Sequence, residues 1–554
     1  NPEIESAKAI EELLGPVRWG KRSAVLYEIS GLGAFISDTL LHPPNPEQFV
    51  DAAERTLDFL DENWGWMYKV SDKKGRLGSL RYAVWSDYPI CPHCGEVSSF
   101  WDLAVDLVGP SMARTVRCPQ CKNSFGAGSA ERVTEEYWDE LLHRSRRRRE
   151  RDPVFIYGRT GRSYWRRPIN ERDLELLKRV EATQLPPEVP IAPILGQRKG
   201  KRWGELYRSG YHFGITHLHD FYTRRNLIAV AAAWQAADEH PPPLRKALQF
   251  WISSYNATHS TIMARVVCKK SANDLVPTSA QPATLYVSSL PVEKNVFAGL
   301  RNKLGTIKAA FEKTYGRGEG VSVHCGSSLN VSLPDSSVDY IFTDPPFGNN
   351  IQYSEVNFIS EAWLGRTTTQ KEEVIISPHQ GKSVEDYQSL LAGAFAEAFR
   401  ILKPGHFMTV VFHSTQAETW DALRVAWKAA GFEMVRSSVL DKTQESFKQT
   451  TTSGAVKGDP VILLRKPSPG QYEHEAVDSK SSLATRDIWA LVAERIRSLD
   501  EQEDHSKNRE RQRLYSYVVT AYLDRDETVP LNADEFFKGL RRRFKCRNGK
   551  YYLR

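Results

Sequence analysis

The chain has 554 residues, enough for about three or four domains at roughly 150 residues each, so it can bury substantial cores without disulfide staples. Hydrophobic residues make up 41% and charged residues 26%, ordinary for a soluble globular protein, and the longest apolar runs, such as Leu227 to Trp234, are far too short to cross a bilayer. Seventy-five Lys and Arg against 68 Asp and Glu leave a net charge of +7, so a site for a polyanion must come from local clustering. A small disulfide scaffold and an integral membrane protein are excluded.

The start, Asn1-Pro2-Glu3, has no initiator Met, and Glu3, Glu5, Glu11 and Glu12 argue against a secretory signal, so the opening reads as a cut. Ser23 to Ile29 reads as a short strand ending in an acid, followed by Gly31-Leu32-Gly33 and a helix to Leu41. An amphipathic helix follows around Pro46 to Asn63, with Phe49, Ala52, Ala53, Leu57 and Leu60 at helical spacing. From Trp64 to about Tyr137 the pattern turns strand-like, and from Arg144 to about Arg208 it is basic and interrupted by Pro and Gly. One helical block is expected from Asp220 to Thr258 and another from Asn295 to Thr314.

Short strands then recur at Gly320 to His324 and Val338 to Thr343, with a long helix up to Leu402 that Pro404-Gly405 terminates. Phe407 to Phe412 reads as strand, Glu418 to Ala430 as helix, and Glu433 to Leu440 and Pro460 to Arg465 as a last pair of strands. Such alternation predicts an α/β fold with a parallel sheet covered on both faces and ligands at the carboxyl ends of the strands. Beyond Pro467 the composition shifts to Ser, Glu and Gln, a linker to a charged helical tail.

Four of the seven cysteines form two pairs, Cys91-Pro92-His93-Cys94 and Cys118-Pro119-Gln120-Cys121. An odd count with two such knuckles points to a reducing, cytoplasmic setting and to a structural Zn2+ held by four thiolates as a zinc ribbon, with His93 a bystander. Arg144 to Arg167 holds ten arginines interleaved with Phe155, Tyr157, Tyr164 and Trp165, and Arg146, Arg147, Arg148 and Arg149 are candidate contacts for DNA phosphates. Half of that stretch reads equally as a solvated helix face. Lys538, Arg541, Arg542, Arg543, Lys545 and Arg547 repeat the theme, with a solvated terminus as the competing reading. His217, His219 and Asp220 are close enough to suggest metal ligands, and hydrogen-bonded structural roles are favoured for them.

The segment richest in chemistry is Thr343-Asp344-Pro345-Pro346-Phe347-Gly348, directly after a hydrophobic strand. Two prolines remove amide donors and fix φ, leaving a stiff cradle of carbonyl oxygens and one carboxylate, all acceptors. Such a cradle suits an amino group, and Phe347 is placed to stack on a base extruded from a duplex. Asn349, Tyr353 and Glu355, just beyond, are expected to line the base pocket.

This loop, with its approach Gly326-Ser327-Ser328-Leu329 and Leu333 to Thr343, resembles that of the amino-methylating DNA methyltransferases. Tyr27 to Ser30, Gly214-Ile215-Thr216, Asp220 to Arg225, Phe347 to Glu355, His379 to Lys382, Leu402 to Gly405 and Ser446-Phe447-Lys448-Gln449 are similar, in that order, to the zinc-ribbon-containing adenine-specific DNA methylases. The resemblance implies a class I, Rossmann-like S-adenosylmethionine-dependent methyltransferase that methylates adenine N6 in DNA. Asp344, Pro345, Pro346 and Phe347 would grip the base, Glu28 would bind the cofactor ribose, and Ser327 or nearby backbone would meet the cofactor adenine. Cytosine N4 or an RNA base is the alternative acceptor, and a non-catalytic zinc-ribbon DNA-binding component with a relic core is the alternative of another class. Restriction or phage defence, with a nuclease partner, is implied by the resemblance alone. The glycine-rich strand and loop that open such cores are missing, so the first strand is read as truncated.

The expected divisions are 1–63 for the cofactor side of the core, 64–140 for a zinc-ribbon insertion and 141–210 for a basic DNA-binding region. They continue with 211–315 for a helical region, 316–467 for the catalytic part and 468–554 for a linker and charged helices.

Overall fold

Ala24-Val25-Leu26-Tyr27-Glu28 is β1 (Ala24–Glu28), and Ser30 stops it by capping α1 (Gly31–Leu41), its hydroxyl accepting from the Gly33 amide at 3.1 Å. α2 (Pro46–Trp64) starts where Asn45 accepts from the Glu47 and Gln48 amides, and it buries the apolar stripe expected of it. The computed structural model describes residues 20–195, 203–269, 274–440, 459–468, 488–500 and 506–554; Ser446 to Gln449 therefore lie outside the described residues. No helix among them is long and apolar enough to cross a membrane.

Between the two parts of the core the chain builds β2 (Leu77–Asp87), the hairpin β3 (Thr134–Asp139) and β4 (Arg144–Arg149), and a second hairpin of β5 (Arg151–Thr160) and β6 (Ser163–Pro168). After α3 (Glu171–Glu181) come α4 (Arg224–Asp238), α5 (Pro242–Tyr255), β7 (Val292–Lys294) and α6 (Val296–Thr314). One antiparallel sheet in the order β6-β5-β2-β7 joins residues from three of the expected divisions, so 64–140, 141–210 and 211–315 are not separate units. Strand alternation, shifted by one residue where a bulge in β2 leaves Arg81 unpaired with β5, explains the union. Leu80, Ala83 and Ile156 face the core built with α2, α4, α5 and α6, whereas Tyr82, Val84, Phe155 and Tyr157 face the module that carries Cys91 and Cys118. The single helical block expected from Asp220 to Thr258 is two helices, because Pro241 to Pro243 supply no amide hydrogens and Pro242 starts α5.

The core resumes with β8 (Val321–Cys325), which pairs in parallel with β1 from Ala24↔Val321 to Glu28↔Cys325. Then come β9 (Val338–Thr343), α7 (Val384–Ile401), β10 (Leu402–Val411), α8 (Ala417–Ala429), β11 (Glu433–Leu440) and β12 (Asp459–Arg465). Their sheet order is β9-β10-β12-β11; β9 and β10 are parallel, and β12 runs antiparallel to both its neighbours. α7 is shorter than expected, since residues between Asp344 and Ser383 form loops and short turns of helix. Pro404 and Gly405 fall within β10 instead of after the helix.

The chain closes with α9 (Ile488–Asp500), α10 (Arg511–Leu523), α11 (Ala533–Arg543) and the hairpin of β13 (Lys545–Arg547) and β14 (Lys550–Tyr552). The charged tail expected here is packed structure: Val492, Val519 and Phe536 share a core with Phe412, Trp427 and Ile462 of the four-stranded sheet and α8.

β1 and β9 are neighbours that do not pair. Lys403 holds the Asp339 carboxylate low at the start of β9, with His406 and Arg22, just ahead of β1, adding positive potential. At the other end, Tyr353 feels both Glu28 and Asp344. Among the described residues no strand is hydrogen-bonded between these two edges, and Tyr340 and Phe342 of β9 stay 54% and 64% exposed.

Candidate active site

The carboxyl ends of β1 and β9 each carry an acid, Glu28 and Asp344, and the charges of both act on the Tyr353 phenol. Burial, then the negative charges of Asp344 and Glu28, push its phenol up. Asp344 is exposed, and the prolines after it are half-buried. The Tyr387 hydroxyl, on the first turn of α7, donates to the Pro346 carbonyl at 2.6 Å, and the Gly348 amide donates to the same oxygen at 3.1 Å. That carbonyl is thus saturated from inside the protein. Phe347 stands edge-on to Phe412, with ring centroids 5.2 Å apart, and tilted against His413 at 5.9 Å. Asn349 is exposed at the tip of the loop, and Tyr353 lies on the one-turn helix that follows.

Glu28 folds back over the start of α1, accepting from the Ser30 amide at 2.8 Å. A Cβ at Gly33 would sit 2.7 Å from the Glu28 Cγ, so this glycine gives the carboxylate room to lie there. Ser327 is beside it in the turn after β8; its hydroxyl accepts from the Leu329 amide at 3.2 Å, and the preceding Gly326 amide donates to the Glu28 carbonyl at 3.0 Å.

Sequence reasoning missed Glu361 and Glu373, which hold the stretch between Tyr353 and Lys382, and it sent Glu355 to the base pocket, whereas the fold buries that carboxylate against the Glu205 and Leu206 amides. Glu361, fully buried, accepts from the Ser30 hydroxyl at 2.8 Å, the Thr368 hydroxyl at 2.7 Å and the Thr368 amide at 2.7 Å, tying the β1 end to the stretch after the proline loop. Glu373 takes the Ser354 amide at 3.0 Å and hydroxyl at 2.8 Å. Glu355 clamps the Glu205 and Leu206 amides at 2.8 and 2.9 Å, and burial pushes its carboxyl up to about 7. Gly204 makes that approach possible: it has φ +74°, and a Cβ there would meet the Glu355 Cδ at 2.2 Å. Acids in the short helical turns and loops beyond a proline loop carry no local signature of these distant partners.

The four cysteines come together. All four sulfurs lie within 4.8 Å of one another, with Cys91 to Cys121 at 3.8 Å and Cys94 to Cys118 at 3.6 Å. Four thiolates about 2.3 Å from a tetrahedral ion would be about 3.8 Å apart, so the cage has the right size for Zn2+ and leaves no coordination position for water. Each knuckle turns through a left-handed residue, Gly95 at φ 77° and Lys122 at φ 62°, whose amide bonds back to Cys91 or Cys118.

The arginine run is divided by β4. Arg146 is enclosed, with Nη1 on Asp139 at 2.5 Å and Nη2 on Asp220 at 2.7 Å and on the Gly214 carbonyl at 2.9 Å. Arg149 is buried against Asp87 and the Gly210 carbonyl. Neither can face DNA phosphates, which corrects the expectation for these two; Arg146 and Arg149 leave opposite faces of β4, and acids wait on both, Asp139 and Asp220 for the first and Asp87 for the second. Arg147 and Arg148 are exposed and touch Thr134 and Glu135 at the surface. Asp139, His219 and Asp220 have metal-like spacing, yet the Arg146 guanidinium already bridges the two carboxylates, so these groups form an internal ion cluster.

No family model and no curated relative matches the chain. Among solved structures it is similar to a Thermus thermophilus protein described as a DNA modification methylase, at 17% identity and a TM-score of 0.16 over 26% of this chain and 51% of that one. It is also similar to the cyclase SpnF, at 13% identity and a TM-score of 0.18 over 30% of this chain and 64% of that one. A third is an S-adenosylmethionine-dependent methyltransferase of Methanosarcina mazei, at 13% identity and a TM-score of 0.16 over 27% of this chain and 68% of that one. The chain spans about half the length of the first of these.

Proposed function

We propose that the chain is a class I methyltransferase that transfers a methyl group from S-adenosylmethionine to the N6 amino group of adenine in DNA. The observation that carries this reading is the pair of strand-end acids, Glu28 and Asp344, both near enough to Tyr353 for their charges to act on its phenol, beside a proline loop stiffened by Tyr387.

Each residue has a task that follows from its position. The exocyclic amine of adenine is a poor nucleophile because its lone pair is delocalised into the ring. Hydrogen bonds from its two N–H groups to Asp344 and to the Pro345 carbonyl favour a pyramidal nitrogen with a localised pair. Pro345 and Pro346 hold those acceptors still, so little reorganisation accompanies the reaction. Phe347, backed by Phe412, offers a flat surface that partly offsets the stacking lost on extrusion. Asn349 and Tyr353 would border the base.

The cofactor half fits in part. Glu28 at a strand end suits two ribose hydroxyls, and the Ser327 turn suits the adenine edge. The methionine side of the cofactor would fall toward the open edges of β1 and β9, where no described strand lies. When bound, S-adenosylmethionine supplies an electrophilic methyl on a sulfonium, whose sulfur–carbon bond breaks as the nitrogen–carbon bond forms. The proton lost from nitrogen leaves after that, so no strong general base is needed. The four cysteines would hold a structural Zn2+, which fixes the module on β2 and β5 and takes no part in transfer.

The deciding experiment supplies labelled S-adenosylmethionine with duplexes that carry adenine or cytosine as the sole exocyclic amine on one strand, and with matching RNA. Label in N6-methyladenine of DNA, abolished in Asp344→Ala, is the expected result. Label in cytosine or RNA would reassign the acceptor, and no label with any acceptor would refute the reading.

A further inference from the structure

The cations that β4 withdraws from the surface reappear at the end of the chain. Between Lys538 and Arg554 there are eight Lys and Arg and no Asp or Glu, more positive charge than the net +7 of the whole chain. These residues are folded: α11 ends at Arg543, and the β13–β14 hairpin turns through Asn548 and Gly549, both left-handed at φ 49° and 78°, as a tight two-residue hairpin turn requires. Phe544 and Tyr551 are buried beneath it, and the backbone at Lys550 forms an antiparallel β-bridge with that at Glu510, so the hairpin has a firm base.

Two observations separate this surface from an ordinary solvated end. Arg541, Arg542, Arg543, Lys545 and Arg547 are all exposed, and none is within salt-bridge distance of an acid among the described residues. Moreover the hairpin register sets Arg547 directly opposite Lys550, a like-charge cross-strand pair that costs stability unless an anion lies over it. The three arginines ending α11 gain something from the helix dipole, but that reason does not extend to the hairpin.

We propose that the end of α11 and the β13–β14 hairpin form a binding surface for the phosphate backbone of double-stranded DNA. This deepens the DNA-methylating reading and rests on it for the choice of duplex DNA as the polyanion. Five of the eight cations are arginine, whose planar fork matches phosphate oxygens, and a two-stranded ribbon has the width of the major groove. The apolar side chains here, Phe544 and Tyr551, are turned inward, so the surface lacks the exposed apolar wedge by which a basic element holds to a lipid interface.

The test measures affinity for a duplex oligonucleotide against salt concentration in the full chain, in Arg541→Gln/Arg542→Gln/Arg543→Gln and in Lys545→Gln/Arg547→Gln. Each lost phosphate contact removes about 0.9 from the slope of log K against log salt, so the variants should lose roughly two to three and two, at an unchanged melting temperature. An unchanged slope in both variants overturns the proposal. So does binding to phosphatidylserine vesicles, or to single-stranded RNA, that is tighter than to duplex DNA and lost in the same variants. Asp344→Ala, which lacks turnover on the earlier reading, should keep the full slope. A chain that never methylates but loses slope in these variants would fail as a methyltransferase and still uphold the surface.

Discussion

The two acid-bearing strand ends sit on unequal foundations. Asp344 follows β9 in a four-stranded sheet whose neighbour β10 contributes fully buried Val410 and leads into Phe412, and whose strand β12 contributes Ile462 and Leu464 at 0% exposure. Glu28 ends β1 in a two-stranded ribbon, and neither β1 nor β8 has a single buried residue. A lone pair of strands is marginal by itself, so the cofactor side relies on what is tied to it: α1, and the Glu361 carboxylate that reaches Ser30 from beyond the proline loop. One half of the site is thus rigid by packing and the other by a few buried hydrogen bonds.

The largest effect should come from the rigid half and leave stability alone. Asp344→Ala is expected to lower methyl transfer by roughly 10³-fold, with melting temperature and duplex affinity nearly constant, as measured by label incorporation and calorimetry. A matching fall in melting temperature would show that the loop's rigidity is not independent of its acid. Next, Glu361→Ala should cost about 3 kcal/mol, because the Ser30 and Thr368 donors are left buried without an acceptor. It should also weaken binding of the methyl donor, which equilibrium dialysis would detect. An unaltered donor affinity would break the proposed dependence of the ribbon on this tie.

Gly204→Ala, which meets the Glu355 carboxylate and a left-handed backbone, should cost about 2 kcal/mol and make the chain near Leu206 easier to cleave. A pH effect of the same clamp should be smaller. Burial pushes Glu355 up to about 7, so the folded chain holds this proton to higher pH than the unfolded chain does. Its contribution is therefore most favourable below about 4.5 and declines as pH rises through 7. Glu355→Gln should flatten that slope in melting temperature between pH 5 and pH 8, by comparison with the parent. Smallest of all, Arg147→Gln and Arg148→Gln should each lower the salt slope of DNA binding by about one or less, with no change in fold.

What the amino-acid sequence discloses here is chemistry held in the local backbone. Asp344-Pro345-Pro346-Phe347 and the two cysteine knuckles carry their geometry in adjacent residues, so strand end, loop and sulfur cage are all anticipated. Partners that only the tertiary fold supplies are not. Whether Arg146 faces solvent depends on Asp139 and Asp220, and whether 64–140 is a unit depends on β5 pairing with β2. The tail misled for a similar reason: its charges are plain in composition, while Val519 and Phe536, which bury it against the four-stranded sheet, are scattered among them.

The pairing of β1 with β8 also constrains how the chain acquires its shape. Glu28 and Cys325 are about 300 residues apart, and closing a loop of that size entropically precedes any reward from the ribbon's five paired positions. During synthesis the β1 edge must wait until the whole intervening body has emerged. Assembly order should therefore be inverted relative to chain order: the helical and cysteine-bearing body gathers first, bringing the two ends of its own excursion within reach, and β1, made before that body, is seated after it.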